Sequence, residues 1–203
     1  ARFLLAHVLK IEPSDLLVRG ADSISLDHRE KARSLVKQRI SGVPLHRLFG
    51  YREFYGRKIE FGEGCLEPRP ETELLVERVL KDWQSSDGIH FAEIGVGSGA
   101  IVTTLLLEMS GATALGTDIS GDAIDWTNHN ANSFGVQDRL QLMETDCLFG
   151  VDRKFDFIVS NPPYIRTGDL DALSGEVTAH DPMAALDGGA DGLKIYRKIL
   201  EQS

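Results

Sequence analysis

The sequence predicts an α/β protein: an open parallel sheet flanked by helices, preceded by a small all-helical N-terminal domain and a β-hairpin connector. Three observations lead there. Short apolar runs recur at 90–94, 113–117, 140–144 and 155–160, each of the length and composition of a buried parallel strand. The first runs into Gly95-Val96-Gly97-Ser98-Gly99 and then a helical stretch, Ala100 to Met109, which is a strand, a glycine-rich turn and a helix. The last stops at Asn161-Pro162-Pro163-Tyr164, because neither proline has an N–H to continue a sheet ladder.

Residues 1–48 read as helical. Phe3, Leu4, His7, Val8 and Ile11 follow the helical period; Pro13-Ser14-Asp15 opens a second short segment closed by Gly20. Asp27 with Glu30 resembles a capping box, Ala32, Leu35, Val36 and Ile40 line one face, and Gly42 is placed to end that helix. Residues 49–68 change character. Phe49, Tyr51, Phe54, Tyr55, Ile59 and Phe61 alternate with glycines, as in a hairpin joining two domains. The third region, 69–203, follows Pro68. Pro68-Arg69-Pro70-Glu71-Thr72-Glu73 forces extended backbone before a helix whose first turn is acidic, where the dipole favours negative charge. A helix over Asp122 to Phe134 and a last one over Gly192 to Gln202 complete the pattern. No methionine opens the chain, so trimming at the N-terminus is expected.

A chain of 203 residues supports one sizeable core with a small satellite. Its net charge of −9 disfavours tight, non-specific nucleic-acid binding, which needs phosphate neutralisation. The two cysteines, Cys65 and Cys147, have neither metal-ligand spacing nor a disulfide framework, which points to a reducing compartment. No signal peptide is expected, and no apolar run reaches membrane-spanning length. A cytoplasmic monomer without membrane contact is expected.

Open α/β sheets bind ligands beyond the carboxyl ends of their strands. Four groups fall there. The glycine loop reads Glu93-x-Gly95-x-Gly97-x-Gly99 rather than the G-x-G-x-x-G that seats a pyrophosphate. The acid two residues before the first glycine suits a cationic or amino-bearing ligand, so a nicotinamide dehydrogenase is disfavoured. Asp118, ending the second strand, can accept both ribose hydroxyls of a nucleoside, or can simply be a turn residue. Asp146, beside Cys147, stands where it could meet an adenine amino group, or is a plain loop residue. Asn161 ends the fourth. Its side-chain carbonyl and the main-chain carbonyl of Pro162 can take the two hydrogens of a planar –NH2, on an amide or a nucleobase. Tyr164 adds an aromatic face, and the prolines stiffen the turn. The plain alternative is a strand followed by a rigid turn.

Glu93-x-Gly95-x-Gly97-x-Gly99, Asp118, Asp146 and Asn161-Pro162-Pro163-Tyr164 together resemble a class I S-adenosylmethionine-dependent methyltransferase of the amino-methylating group. The Pro68–Glu73 segment, Gly42-x-Pro44-Leu45 and Glu53-Phe54 narrow the resemblance to the HemK/PrmC family, the release-factor glutamine methyltransferases. The resemblance covers essentially the whole chain. It implies a Rossmann-like class I methyltransferase sheet. S-adenosylmethionine would be held by Glu93, Gly95, Val96, Gly97, Ser98, Gly99, Asp118, Asp146, Cys147 and Asn161. Asn161, Pro162, Pro163 and Tyr164 would hold the acceptor, the glutamine of a Gly-Gly-Gln tripeptide in peptide-chain release factors, with Asn161, Pro162 and Tyr164 catalytic. The helical domain would help grip the factor. Three departures stand out: Glu67 where an apolar residue is usual, Cys147 where some members stack an aromatic on adenine, and Thr178 where an arginine is frequent. Family members continue into further strands, so the resemblance also implies a C-terminally incomplete methyltransferase domain. Two alternatives remain at this point. One is a DNA or RNA methyltransferase acting on adenine N6 or cytosine N4 of a flipped base. The other is a non-catalytic module, in which the helical domain binds a release factor or ribosome and the methyltransferase is vestigial.

Overall fold

The computed structural model describes all residues except 19, 21 and 84–86. The chain forms two compact units, Ala1–Gly50 and Tyr51–Ser203. The first holds α1 (Arg2–Leu9), α2 (Asp15–Val18), α3 (Leu26–Ile40) and α4 (Leu45–Phe49). Leu4, Ala6 and Val8 of α1 are buried there. The start of α3 differs from expectation. The Ser25 hydroxyl accepts the His28 N–H and caps the helix, which puts Asp27 inside the first turn, not at the cap. The far end is as expected: Gly42, at φ 105, donates to the Arg39 carbonyl while Val43 donates to that of Gln38, a Schellman closure that only a residue tolerant of positive φ completes comfortably. The helix α4 takes in Phe49, which the sequence had placed in the hairpin; Phe49 stacks on His7 at 4.5 Å between ring centroids.

The second unit opens with the hairpin β1 (Tyr51–Phe54) and β2 (Arg57–Glu60), paired antiparallel with Phe54 opposite Arg57. Its two turn residues, Tyr55 and Gly56, have φ of 51° and 70°. Positive φ at both positions is the turn whose twist matches that of the flanking strands. A 3₁₀ turn at Pro70–Thr72 leads into α5 (Glu73–Trp83). Then follow β3 (His90–Ile94), α6 (Ala100–Glu108), β4 (Thr113–Asp118), α7 (Gly121–Ser133), β5 (Leu140–Glu144), β6 (Phe157–Ser160), α8 (Gly175–His180) and α9 (Lys194–Gln202). The four strands pair parallel in the order β5-β4-β3-β6. The chain runs outward from β3 through β4 to β5 and then returns to the other side of β3. That reversal opens a crevice at the carboxyl ends of β3 and β6, and it sets the glycine loop beside Asn161. β6 begins at Phe157, two residues later than the apolar run suggests. Asp156 is the reason: its main-chain N–H donates to the His90 carbonyl while its carboxylate accepts the His90 N–H, so a side chain substitutes for the first rung of the ladder.

Packing fixes this edge of the sheet. α6 is buried from Ala100 to Leu106 and lies in one continuous core with Phe91, Ala114 and Val159 of three strands. The Arg139 guanidinium donates to the carbonyls of Leu106, in the last turn of α6, and of Met109 and Ala112 just beyond it, and so adds to the closure of that helix end. Asn130 of α7, only 1% exposed, plays the corresponding role near the loop. Its Oδ1 accepts the Glu60 N–H at 3.0 Å, and its Nδ2 donates to the carbonyls of Glu60 at 2.7 Å and Ser98 at 2.9 Å. One buried carboxamide thus ties β2 and the glycine loop to a single helix. Asn130→Ala would strand three main-chain groups, the buried Ser98 carbonyl and the part-buried N–H and carbonyl of Glu60. We expect it to lower the stability of the protein by about 2–4 kcal/mol in urea unfolding; a loss below about 0.5 kcal/mol would mean that water replaces the staple.

Candidate functional site

The loop after β3 folds back on β4: the N–H groups of Gly95 and Val96 both donate to the Thr117 carbonyl, and Gly99 donates to that of Val96. Gly95, Gly97 and Gly99 have φ of 74°, 55° and 75°. Two of them face open space, since a Cβ on Gly95 or Gly97 would meet nothing within 4 Å. At Gly99 a Cβ would lie 2.8 Å from the Thr127 side chain, so this glycine serves helix packing. The loop therefore offers bare main chain to whatever occupies the crevice, on a floor clamped from behind.

Glu93 faces this loop from within the sheet. It is 1% exposed, and its carboxylate accepts the Val102 N–H at 2.7 Å, capping the first turn of α6 from outside the helix. Burial pushes its carboxyl well above the usual range; the Val102 bond opposes this, and the Asp118 charge adds to it. Asp118 is held on both oxygens, by the N–H of Gly97 and the N–H of Ser120, each at 3.0 Å. A carboxylate so fixed keeps its remaining lone pairs on the open side. At the end of β5, Asp146 pairs with the Lys198 ammonium from α9, which raises the lysine above its ordinary value. Next to it Cys147 is nearly buried at φ 57, its thiol pushed up by burial and by the Asp146 charge.

Asn161 follows β6, and its Nδ2 donates to the Thr72 hydroxyl at 3.1 Å. Among the described residues nothing donates to its Oδ1, nor to the main-chain carbonyl of Pro162. Beyond the prolines the chain is zipped to a later segment. Ile165 donates to the Leu186 carbonyl, Gly188 to that of Ile165, and Thr167 to that of Gly189. At Gly188 a Cβ would come within 2.8 Å of Tyr164 Cα, so the two segments touch at the main chain. The Asn-Pro-Pro-Tyr turn is thereby held at both ends.

Two cavities meet at this turn. The larger, about 560 Å³, contains the glycine loop, Asp118, Asp146, Cys147, Lys198 and Asn161. It brings together the expected cofactor-binding residues, Glu93 and Val96 to Ser98 included, except Gly99, which is packed on α7. The second, about 480 Å³, is lined by Leu75, Tyr164, Ile165, Leu173, Val177 and Leu186 among others. Asn161, Pro162, Thr72 and Arg69 line both. Tyr164 stands at the rim, 61% exposed. The departures resolve separately. Glu67 is buried but pairs with Arg52, so a charge replaces the apolar contact without being left alone. Thr178 is exposed, and its hydroxyl turns back to the Ser174 carbonyl. The buried acid of that segment, Asp181, is instead reached by Arg69 at 2.5 Å. Thr72, Lys198 and Asn130 were not anticipated from sequence. Thr72 lies inside the Pro68–Glu73 segment but reads as a helix start; for Lys198 and Asn130 no local signal exists.

Comparison with known proteins gives consistent findings. The PrmC N-terminal domain family matches residues 1–50, and the methyltransferase small domain family matches residues 68–186. The release factor glutamine methyltransferase of Agrobacterium fabrum is 39% identical over 203 residues, covering 98% of this chain and 70% of that protein. Those of Bradyrhizobium diazoefficiens and Bacillus cereus are 37% and 36% identical, and the chain covers 69% and 72% of their lengths. The crystal structure of the hMettl16 catalytic domain in complex with MAT2A 3′UTR hairpin 6 superposes with a TM-score of 0.55 at 18% identity, over 73% of this chain and 57% of that one, a likeness of fold.

The buried carboxyl of Glu93 makes a prediction. Its ordinary value is 4.5 and the folded state raises it. Below 4.5 it is protonated whether folded or unfolded; as pH climbs through the folded-state value, the unfolded chain releases the proton more readily and stability is lost. Glu93→Gln stays neutral throughout. Its stability relative to the wild type, from urea midpoints taken in steps upward from pH 4.5, should rise with pH; a flat difference would show that the carboxyl is ionised at no cost.

Proposed function

Since the chain belongs to the release factor glutamine methyltransferase family, we propose that it transfers a methyl group from S-adenosylmethionine to the side-chain amide nitrogen of the glutamine in the Gly-Gly-Gln tripeptide of a peptide-chain release factor. The observation that carries this reading is the position of Asn161 in the wall between the two cavities, with Oδ1 and the Pro162 carbonyl both without donors among the described residues. Two unengaged acceptors on a rigid turn match the two hydrogens of one amide –NH2.

The larger cavity fits S-adenosylmethionine by the chemistry of its donors. Bare main chain at Gly95 and Gly97 permits close approach, Asp118 with fixed oxygens suits a pair of vicinal hydroxyls, and the apolar wall of Ile94, Val96 and Ile119 suits a nucleoside face. Asp146, one oxygen engaged by Lys198, and Cys147 border the place where an adenine amino edge would lie. When bound, S-adenosylmethionine supplies an electrophilic methyl on a sulfonium, whose sulfur leaves as a neutral thioether. Everything else falls to the protein. An amide nitrogen is a poor nucleophile because its lone pair is shared with the carbonyl. Asn161 Oδ1 and the Pro162 carbonyl accept its two hydrogens, return electron density to nitrogen and stabilise the positive charge that grows as the N–C bond forms. The rigid turn fixes the direction of approach. The proton leaves afterwards, since the N-methylated cation is acidic enough to release it to water. The second cavity, rimmed by Tyr164, takes the small residues flanking the glutamine.

No helix among the described residues is long and apolar enough to cross a membrane, and the net charge of −9 favours a protein acceptor over a polyanion. We place the reaction in the cytoplasm, with the protein as a monomer and no direct nucleic-acid partner. The test is incubation with methyl-labelled S-adenosylmethionine and a purified release factor, alongside the factor carrying Gln→Ala in its tripeptide. Label on the unaltered factor alone is expected; label on both, or on neither while cofactor binds, would overturn the reading.

A further inference from the structure

The Pro68–Glu73 segment is tied to three separate parts of its unit. Arg69 reaches Asp181 after α8 at 2.5 Å, the Glu73 carboxylate accepts the Tyr55 N–H of the hairpin turn at 3.0 Å, and Thr72 meets Asn161 beyond β6 at 3.1 Å. Within the segment, the Thr72 N–H donates to the Arg69 carbonyl and closes the 3₁₀ turn. Thr72 is thus presented on a braced turn, in the wall shared by both cavities.

We propose that Thr72 is a positioning residue for methyl transfer: by accepting from Asn161 Nδ2, its hydroxyl holds the carboxamide with Oδ1 toward the acceptor nitrogen. This rests on the function proposed above. A carboxamide has two ends of opposite character, and rotation by half a turn about Cβ–Cγ exchanges them. An acceptor –NH2 has only hydrogens to offer, so it is productive against Oδ1 and repelled by Nδ2. The geometry at Asn161 supplies the required end only while Nδ2 has somewhere else to go. The Thr72 oxygen is the partner that the structure gives it. Being hydrogen-bonded before the acceptor arrives, the amide need not be ordered during the reaction. Thr72 touches no reacting atom; it acts through Asn161.

Thr72→Val keeps the branched shape and removes the acceptor. We expect kcat on the release factor to fall about tenfold, as for the loss of one oriented hydrogen bond. The dissociation constant for S-adenosylmethionine should stay within about twofold, and Thr72→Ser should restore kcat to within about twofold of the wild type. A Val variant with wild-type kcat would overturn the proposal. So would a Ser variant as slow as Val, or a parallel loss of cofactor affinity, since either would make the role structural. A second readout needs no acceptor and separates this proposal from the function it rests on. In protein labelled with ¹⁵N-asparagine, the Asn161 side-chain –NH2 should exchange with water about tenfold faster in Thr72→Val than in the wild type. Equal exchange would overturn the proposal even where the wild type methylates the factor. Faster exchange in Thr72→Val, with a wild type inactive on the factor, would sink only the functional reading.

Discussion

The fold turns on a single stop. β6 lies next to β3 at the point where the strand order reverses, and two prolines end it at the mouth of the crevice. A strand that ran on would draw Asn161 into the ladder, and one that slipped in register by one residue would turn its side chain to the other face of the sheet, because side chains alternate along a strand. The prolines prevent both, and the main-chain bonds from Ile165 and Thr167 to the segment at 186–189 hold the far side of the turn. The Ser160 hydroxyl, donating to the Ile94 carbonyl at 2.7 Å, locks the same strand end onto β3. The site inherits its rigidity from these few contacts.

Each half of the site is built by a different economy. On the proposed cofactor side the protein supplies main chain, with carboxyl groups immobilised by N–H groups: Glu93 by Val102, and Asp118 by Gly97 and Ser120. Fixed dipoles of this kind need little reorganisation when a charged ligand arrives. On the proposed acceptor side it supplies two carbonyl oxygens, of Asn161 and Pro162, at the mouth of the second cavity. The acidic surface is no obstacle to either, because the groups that matter are neutral or already engaged.

Much of this was legible in the sequence where the signal is local. The runs at 90–94 and 140–144 coincide with β3 and β5, and the glycine loop, Asp118, Asp146 and Asn161 do converge on one cavity. Local signals misled where two neighbours could do one job. Ser25 and Asp27 both offer a capping oxygen, and Ser25 takes the role; Asp156 replaces a ladder rung with its carboxylate and shortens β6. What the sequence could not convey is pairing at a distance. Thr72 meets Asn161 across 89 positions, Lys198 meets Asp146 across 52, and Asn130 reaches Glu60 across 70. Only the topology of the sheet brings these together, and a polar residue in a helix carries no mark of which main-chain group it will satisfy.

If the account is right, Asn161 governs chemistry and contributes little to holding the cofactor, although it borders the cofactor's cavity. The direct measurement is Asn161→Ala, titrated calorimetrically with S-adenosylmethionine and assayed for turnover on a release factor. Turnover should fall at least about 100-fold, the scale set by losing one group that stabilises the developing charge. The cofactor's dissociation constant should change by less than about threefold, within the worth of one exposed contact. Retained turnover, or affinity and turnover falling together, would contradict the assignment of the acceptor site to this turn.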